Sequence, residues 1–330
     1  MEDQLSPDTR KTVSVIIVLF NSADYIAPSL ESLAATSYPH LEVILVDNGS
    51  DDGSLGKARE VASRCGLHTL ASDLGHNRGF ATANDEAFAL SSGEIILLLN
   101  PDTELYPDAL TALVEAFDSD DSIGIAGCKL YHPDRKTLQH AGGFVRDNGL
   151  TMHYGADEPD EGQFDEMRDV PYVTGAALAI RRDVFVEAGL LDPGYYPAYF
   201  EETDLCLAVR RLGYRVVYVP SARLVHHEST TTTKYSEQFL YLYHRNRVRY
   251  LLKNYSWRFL LERALPFEQR WLGWITPVEQ AGPLNKAYLV NLAMLPSTMI
   301  ARLRRERALS SPRIEDTTDE ACIVVPGEDE

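Results

Sequence analysis

An α/β fold, with a mostly parallel central sheet flanked by helices and a helical C-terminal extension, is predicted by three features of this 330-residue sequence. Apolar runs of strand length alternate with segments of helical periodicity through the first half of the chain. Polar, glycine-containing stretches follow those runs directly, which places them at the carboxyl ends of strands, where open α/β sheets bind ligands. From Tyr235 onward the pattern is helical, with aromatic and basic residues interleaved.

The elements follow in order. Residues 1–11 are polar and read as a flexible N-terminus. Val13–Phe20 is a continuous buried-strand pattern, and Leu30 and Leu33 sit at helical spacing behind it. Leu41–Val46 is a second strand, Ser54–Arg64 a helix, Leu67–Ala71 a short strand and Phe80–Leu90 a further helix. Ile95–Leu99 is wholly apolar, as in a strand buried on both faces. Such alternation predicts parallel strands joined by right-handed crossovers. Pro107 suits the first turn of a helix reaching Phe117, and Ile123–Leu130 is another strand. Residues 131–170 are rich in Gly, Asp, His and aromatics with weak periodicity, a long irregular segment of the kind that carries function. Regularity returns with Tyr172–Ile180, a helix near Arg182–Ala188, a helix from Glu202 to Leu212 and a strand Arg215–Val219.

A net charge of −18 argues against DNA or RNA as the main partner. The charge is uneven. The last 17 residues hold seven carboxylates (Glu315, Asp316, Asp319, Glu320, Glu328, Asp329, Glu330) and no base, so 309–330 reads as a disordered acidic tail. Cations gather at Arg302, Arg304, Arg305 and Arg307, and at Arg245, Arg247, Arg249 and Lys253. The four cysteines show no metal-ligand spacing and the N-terminus no signal peptide, so reduced thiols and a cytoplasmic location are expected. No apolar run reaches transmembrane length; Ala287–Ile300 is interrupted by Asn291 and Pro296.

Four motifs carry chemistry. Pro101 ends the Ile95–Leu99 strand, so Asn100 and Asp102 stand at its carboxyl end, where a carboxylate suits a hard divalent cation holding phosphate oxygens. Asp47-Asn48-Gly49-Ser50-Asp51-Asp52-Gly53-Ser54 follows the second strand. Asp47 is able to accept from a base imide or ribose hydroxyl, while Ser54 or Asp52 also suits a helix cap. The spacing is neither the dinucleotide fingerprint nor a P-loop. In His76-Asn77-Arg78-Gly79-Phe80, Arg78 suits phosphate oxygens and Gly79 lets a helix N-terminus approach a ligand. Glu201-Glu202-Thr203-Asp204 crowds three carboxylates ahead of an apolar helix; acidic first turns stabilise helices, but adjacent carboxylates also raise one another's pKa and so make a candidate general base. The aromatic lead-in Tyr195–Phe200 suits either a wall for sugar rings or core. His226, after Pro220, finishes on the same sheet edge as Asp102, and carboxylate, imidazole and diphosphate make an octahedral set for Mg²⁺ or Mn²⁺.

Together these residues resemble the family 2 inverting glycosyltransferases of GT-A fold, most closely the rhamnosyltransferase-like branch. The likeness runs from Val13 to Ser229 through Val15–Asn21, Val46–Ser50 with Asp52-Gly53-Ser54, Asn77–Phe80, Asn100-Pro101-Asp102, Thr174–Ala177, Glu201–Leu205 and His226, in the family's order. The resemblance implies a nucleotide-sugar pocket of Phe20, Asn21, Asp47, Asn48, Ser50, Arg78, Gly79, Asn100 and Gly175, with Asp47 reading the nucleobase. It implies Asp102 and His226 as metal ligands and Glu202 as the base, with Glu201 as the alternative. Asn100 stands where the family's D-x-D has its first Asp, and Glu202 where an Asp is usual. The implied reaction is a single displacement at the anomeric carbon of a nucleotide-diphosphate sugar, dTDP-rhamnose or a UDP-sugar. The acceptor would be a glycan or polyprenyl-diphosphate-linked hydroxyl in cell-surface polysaccharide synthesis.

On this resemblance 12–232 is the GT-A catalytic domain, with 12–102 its nucleotide-binding half and 103–232 its acceptor half. Residues 233–308 are a helical region. Its basic islands beside apolar stretches suit peripheral contact with anionic membrane on the inner face of the cell membrane, or a packing or homodimer element. Two other functions share the sheet. A sugar-1-phosphate nucleotidyltransferase wants a glycine-rich basic loop after the first strand, where this chain has Phe20-Asn21-Ser22-Ala23. A non-catalytic GT-A scaffold is opposed by the presence of Asp102, Glu202 and His226.

Overall fold

The computed structural model describes residues 11–228, 236–275 and 278–308. Residues 1–10, the acidic tail and Cys322 lie outside the described residues. The first half alternates as the sequence predicts: β1 (Val13–Leu19), α1 (Ile26–Ala34), β2 (Leu41–Asp47), α2 (Ser54–Arg64), β3 (Thr69–Asp73), α3 (Phe80–Phe88) and β4 (Ile95–Leu99). Then come β5 (Thr103–Leu105), α4 (Ala109–Ser119) and β6 (Ile123–Tyr131). The short strands β7 (Leu138–His140), β8 (Gly143–Val145), β9 (Thr151–His153) and β10 (Arg168–Asp169) occupy the segment expected to be irregular. β11 (Ala177–Arg181), α5 (Arg182–Glu187), α6 (Glu201–Arg211) and β12 (Arg215–His226) complete the sheet domain. α7 (Glu237–Asn254), α8 (Trp257–Phe259), α9 (Leu265–Ile275) and α10 (Val278–Ala308) form the helical extension.

The sheet runs β10-β12-β6-β11-β4-β1-β2-β3. The ladders β1–β2, β2–β3, β1–β4 and β6–β12 are parallel, while β11 enters antiparallel between β4 and β6. Alternate residues of one strand therefore feed opposite layers. Val15, Ile17 and Leu19 pack with Leu30, Val61, Leu110 and Phe117 on one side. Ile16 and Val18 pack with Ala83, Phe185, Leu205, Val209 and Tyr250 on the other. With both faces covered, the strands of this core are continuous apolar runs.

Several boundaries differ from expectation: β11 starts at Ala177 rather than Tyr172, and α4 at Ala109, beyond Pro107. β3 starts two residues beyond Leu67 because its ladder pairs Asp73 with Asp47, at the very end of β2. β12 continues through Pro220 to His226, with a register shift against β6 between Val219 and Arg223; the bulge accommodates a proline that cannot donate to a ladder. The segment 131–170 is ordered by short pairings (β6–β7, β8–β9, β10–β12), too brief to show periodicity.

Charge anchors the helical extension. Asp204, buried in the first turn of α6, accepts from Tyr195 Oη (3.0 Å), Asn254 Nδ2 (2.7 Å), Lys253 Nζ (2.7 Å) and Arg305 of α10. Lys253 and Arg249 also pair with Asp192, at 2.6 and 3.2 Å. Arg247, fully buried, grips Glu268 of α9 through two contacts of 2.6 and 2.9 Å. The basic run of α7 thus points inward, which answers what its cations do: they hold α9, α10 and the α6 start together. Burial alone would push the Asp204 carboxyl upward, but Arg305 and Lys253 outweigh it and hold the group far below its ordinary range. A depressed carboxylate contributes stability above its unfolded value that is lost as pH falls. Asp204→Asn, which strands two buried cations, is expected to cost about 3–5 kcal/mol in urea unfolding at pH 7, with the gap to wild type closing in strong acid.

Candidate active site

Parallel order puts the carboxyl ends of β1, β2 and β4 on one edge, and the loops there interlock. Asp47 Oδ1 accepts from Gly49 N (2.9 Å) and Ser50 N (2.7 Å), a side-chain turn that fixes the carboxylate. Asn21 sits at φ 49° with its Oδ1 on Asp51 N (3.0 Å), and its own N–H donates to Ser50 Oγ (3.1 Å). Phe20, at the β1 end, donates its N–H to Ser22 Oγ at 3.2 Å. Gly49 has φ +84°, and a Cβ there would come within 2.6 Å of the His76 backbone. That close approach seats the β2 loop on the His76–Phe80 turn. Asn48 Oδ1 accepts from Arg78 N (2.7 Å) and Asn77 Oδ1 from Gly79 N (2.8 Å), so Asp47, Asn48, Ser50, Arg78 and Gly79 form one surface. The Arg78 guanidinium itself is exposed and lies 3.3 Å from Glu86.

Gly79 carries the contact onward. At φ +85° its missing Cβ makes room for the Tyr196 ring, and Phe80 N donates to Pro197 O at 2.7 Å. Pro197 leads into α6 through Tyr199 and Phe200, both in the left-handed region at φ 85° and 78°. Two such residues cost on the order of 1–3 kcal/mol each. The Asn246 amide of α7 offsets this by donating to Tyr195 O, Ala198 O and Tyr199 O at 2.7–3.0 Å. Tyr195 and Phe200 are core, whereas Tyr196 is half exposed. Tyr195 and Phe200 are thus removed from any sugar-facing role.

The loop delivers Glu201 and Glu202 at the start of α6. Glu201 is buried with Oε1 unpaired among the described residues. Burial, and then the neighbouring Glu202 charge, push its pKa well up. Burial also raises Glu202, against its own and Thr203's backbone N–H groups and the Thr203 hydroxyl. The two adjacent carboxyls therefore titrate as a pair, above the ordinary carboxylate range. Gly175 lies alongside: a Cβ there would sit 3.6 Å from the Glu202 Cβ. The next residue, Ala176, accepts from Asn100 N at 2.9 Å, so one short segment joins the α6 start to the end of β4.

At that end β5 pairs antiparallel with β12, setting Thr103 opposite His226. His227 N donates to Asp102 O at 3.0 Å, and buried Asp102 faces His226 with Oδ1 and Nε2 3.4 Å apart. A carboxylate and an imidazole at this separation fit one divalent cation. Among the described residues no three His, Cys, Asp or Glu side chains converge on a metal-sized space. Gln139 is a site residue that sequence reading missed; its Oε1 lies 2.7 Å from His226 Nδ1. Tyr172 and Tyr243, whose hydroxyls feel the Glu202 charge, were missed as well. Gln139 and Tyr172 sit in or beside the segment where periodicity fails.

Fold and site together define an α/β protein whose strand-end loops interlock beside a half-buried carboxylate. Residues 14–189 match the family model described as glycosyl transferase family 2, and the chain belongs to that family. It is 34% identical over 66% of its length to protein y4gI of Sinorhizobium fredii, of which it spans a quarter. It is 26% identical to the N-acetylglucosaminyl-diphospho-decaprenol L-rhamnosyltransferase of Mycobacterium tuberculosis, over 74% of this chain and 86% of that one. The rhamnosyltransferase likeness expected from the motifs therefore stands. The fold is shared with a mannosyltransferase from Pyrobaculum calidifontis in complex with GDP-Man and Mn²⁺, at TM-score 0.55, 20% identity, 93% of this chain and 78% of that one.

Gly49→Ala is the sharpest check on the nucleotide side. The added methyl must displace the His76 backbone in a conformation already unfavourable to a side chain. Calorimetric binding of UDP, GDP or dTDP is expected to weaken about tenfold or more, with the far-ultraviolet circular dichroism unchanged.

Proposed function

We propose that the chain is a metal-dependent inverting glycosyltransferase, moving a sugar from a nucleotide-diphosphate donor to a hydroxyl of a glycan or lipid-linked acceptor. The observation that carries this is a half-buried carboxylate of raised pKa, Glu202, joined through Gly175 and Ala176 to the strand end that pairs Asp102 with His226.

Asp47, its Oδ1 held by Gly49 and Ser50, presents its other oxygen to the nucleobase or ribose, with Phe20, Asn21 and Asn48 around it. Asp102 and His226 would hold Mg²⁺ or Mn²⁺, which supplies positive charge against the departing diphosphate. Arg78 stands on the same edge with an exposed guanidinium that pairs with Glu86, and would exchange that partner for the diphosphate beside the Gly79 backbone. Glu202, ionised, takes the proton of the acceptor hydroxyl as that oxygen attacks the anomeric carbon from the face opposite the diphosphate. Donors in keeping with the relatives are dTDP-rhamnose or a UDP-sugar, and the decaprenol-linked substrate in one relative's name supports a polyprenyl-diphosphate acceptor in cell-wall polysaccharide synthesis.

Such an acceptor calls for membrane contact. No helix among the described residues is long and apolar enough to cross a membrane. α10 instead exposes Leu289, Leu292, Ile300 and Leu303 on one stripe, with Lys286 and Arg304 also on its exposed face. Cations beside an apolar stripe in a chain of net charge −18 suit a peripheral seat on anionic lipid at the inner face of the cell membrane. The chain should float with phosphatidylglycerol vesicles, and Leu292→Asp with Leu303→Asp should abolish this. A wild type that stays with the soluble fraction, or that pairs as a homodimer through this stripe, overturns the lipid assignment.

Diphosphate release from a panel of UDP-, GDP- and dTDP-sugars with Mg²⁺ or Mn²⁺ tests the reaction. Glu202→Gln is expected to lower kcat by about 10²–10⁴-fold. Glu201→Gln should stay within about fivefold of wild type. The acid limb of kcat/KM against pH should fall above the ordinary carboxylate range. No release from any donor would leave a nucleotide- or glycan-binding scaffold as the better account.

A further inference from the structure

We infer that Gln139 is a positioning residue that sets the proton of His226 on Nδ1 and so presents the bare Nε2 to the cation. The inference rests on the metal reading above and adds to it a residue on β7, outside every sequence motif of the site. Gln139 is buried at the middle of β7, which pairs with the end of β6. β12 flanks that same end of β6 and finishes on His226. The two strands thus bring the Gln139 amide and the imidazole together, with Oε1 2.7 Å from Nδ1. An amide oxygen only accepts, so Nδ1 must carry the hydrogen in this contact. In a neutral imidazole the other nitrogen is then a lone pair, and it is Nε2 that lies 3.4 Å from Asp102 Oδ1.

A lone pair facing a carboxylate oxygen at that distance is repulsive unless positive charge stands between them. A divalent cation supplies that charge without a proton having to be expelled, because metal binding needs an unprotonated nitrogen. Imidazole ligands commonly donate their second N–H to a carboxylate, carbonyl or water that fixes ring and tautomer. Here a side-chain amide does this, on a strand whose main-chain carbonyl at Gln139 lies 3.2 Å from His153 Nδ1. A reversed amide would donate to Nδ1, place the hydrogen on Nε2 and close the site to metal. The two orientations make opposite forecasts for the metal-free protein.

The tautomer is read by long-range ¹H–¹⁵N correlation on metal-free, histidine-labelled protein, with the His226 signal identified by its loss in His226→Ala. Nδ1–H is expected. Gln139→Leu should then weaken Mn²⁺ binding in the presence of UDP, GDP or dTDP by about 10–100-fold. Nucleotide affinity without metal and the unfolding midpoint should hold. Gln139→Glu, which keeps an acceptor oxygen on Nδ1–H, should recover Mn²⁺ affinity to within about threefold of wild type. An Nε2–H signal in the wild type, or Mn²⁺ affinity of Gln139→Leu within twofold of wild type, overturns the inference alone. Wild-type protein that binds neither Mn²⁺ nor Mg²⁺ overturns the metal reading as well.

Discussion

The carboxylate of Asp204 is the constraint on which the arrangement depends. It sits in the first turn of α6, beyond Glu201 and Glu202, and receives Tyr195 from the lead-in, Lys253 and Asn254 from α7 and Arg305 from α10. Two buried cations on one buried anion leave little freedom: removing any partner exposes charge to a low-dielectric interior. The Asn246 clamp acts beside it, holding Tyr199 and Phe200 in the left-handed region. Helical extension and reaction centre are therefore mechanically one piece. A shift of α7 or α10 relative to the sheet would move the first turn of α6 and the two glutamates with it.

The opposite wall has a different origin. Asp102 and His226 are separated by more than a hundred residues, and no local propensity joins them. Their meeting follows from sheet order: β6 lies between β11 and β12, and β12 runs past its Pro220 bulge to pair with β5. Without the extra length beyond the bulge, β12 would stop at Val219 and the imidazole would not reach the strand end. The bulge is thus the device that turns an ordinary core strand into one arm of the site.

Much of this was legible in the sequence for a definite reason. Strands buried on both faces are continuous apolar runs, so β1, β2, β4 and β6 announce themselves, and the polar stretches after them fall on the binding edge without further assumption. Asp47, Asn48, Asp102 and His226 were singled out in this way, and Glu202 by the crowding of three carboxylates ahead of an apolar helix. What escaped has an equally physical cause. β7 to β10 are two or three residues long, below any period a sequence can display, and they hold Gln139. The cations of α7 suited a membrane-facing or packing element equally in the sequence, because their burial depends on partners such as Asp192, Asp204 and Glu268, distant in sequence and invisible to helical spacing. Asp204 itself reads as one of three equivalent acids; only packing separates an anchor from a base.

The same packing bears on how metal and donor relate. On the proposed reading Asp102 and His226 would supply two ligands, Asn100 would offer an amide where a second carboxylate is usual in the family, and no further acidic or imidazole group among the described residues joins them. A divalent cation prefers an octahedral shell of oxygen or nitrogen, so on the proposed reading most of that shell belongs to water until the diphosphate arrives. The donor's oxygens then replace water and neutralise charge that a single carboxylate cannot. Each ligand is bound more tightly for the presence of the other, and by linkage the coupling is equal in both directions. The asymmetry of Asn100-Pro101-Asp102 makes the site an assembly of protein, cation and donor, with the protein's own share reduced to orientation: a carboxylate fixed by a ladder end and an imidazole fixed by an amide.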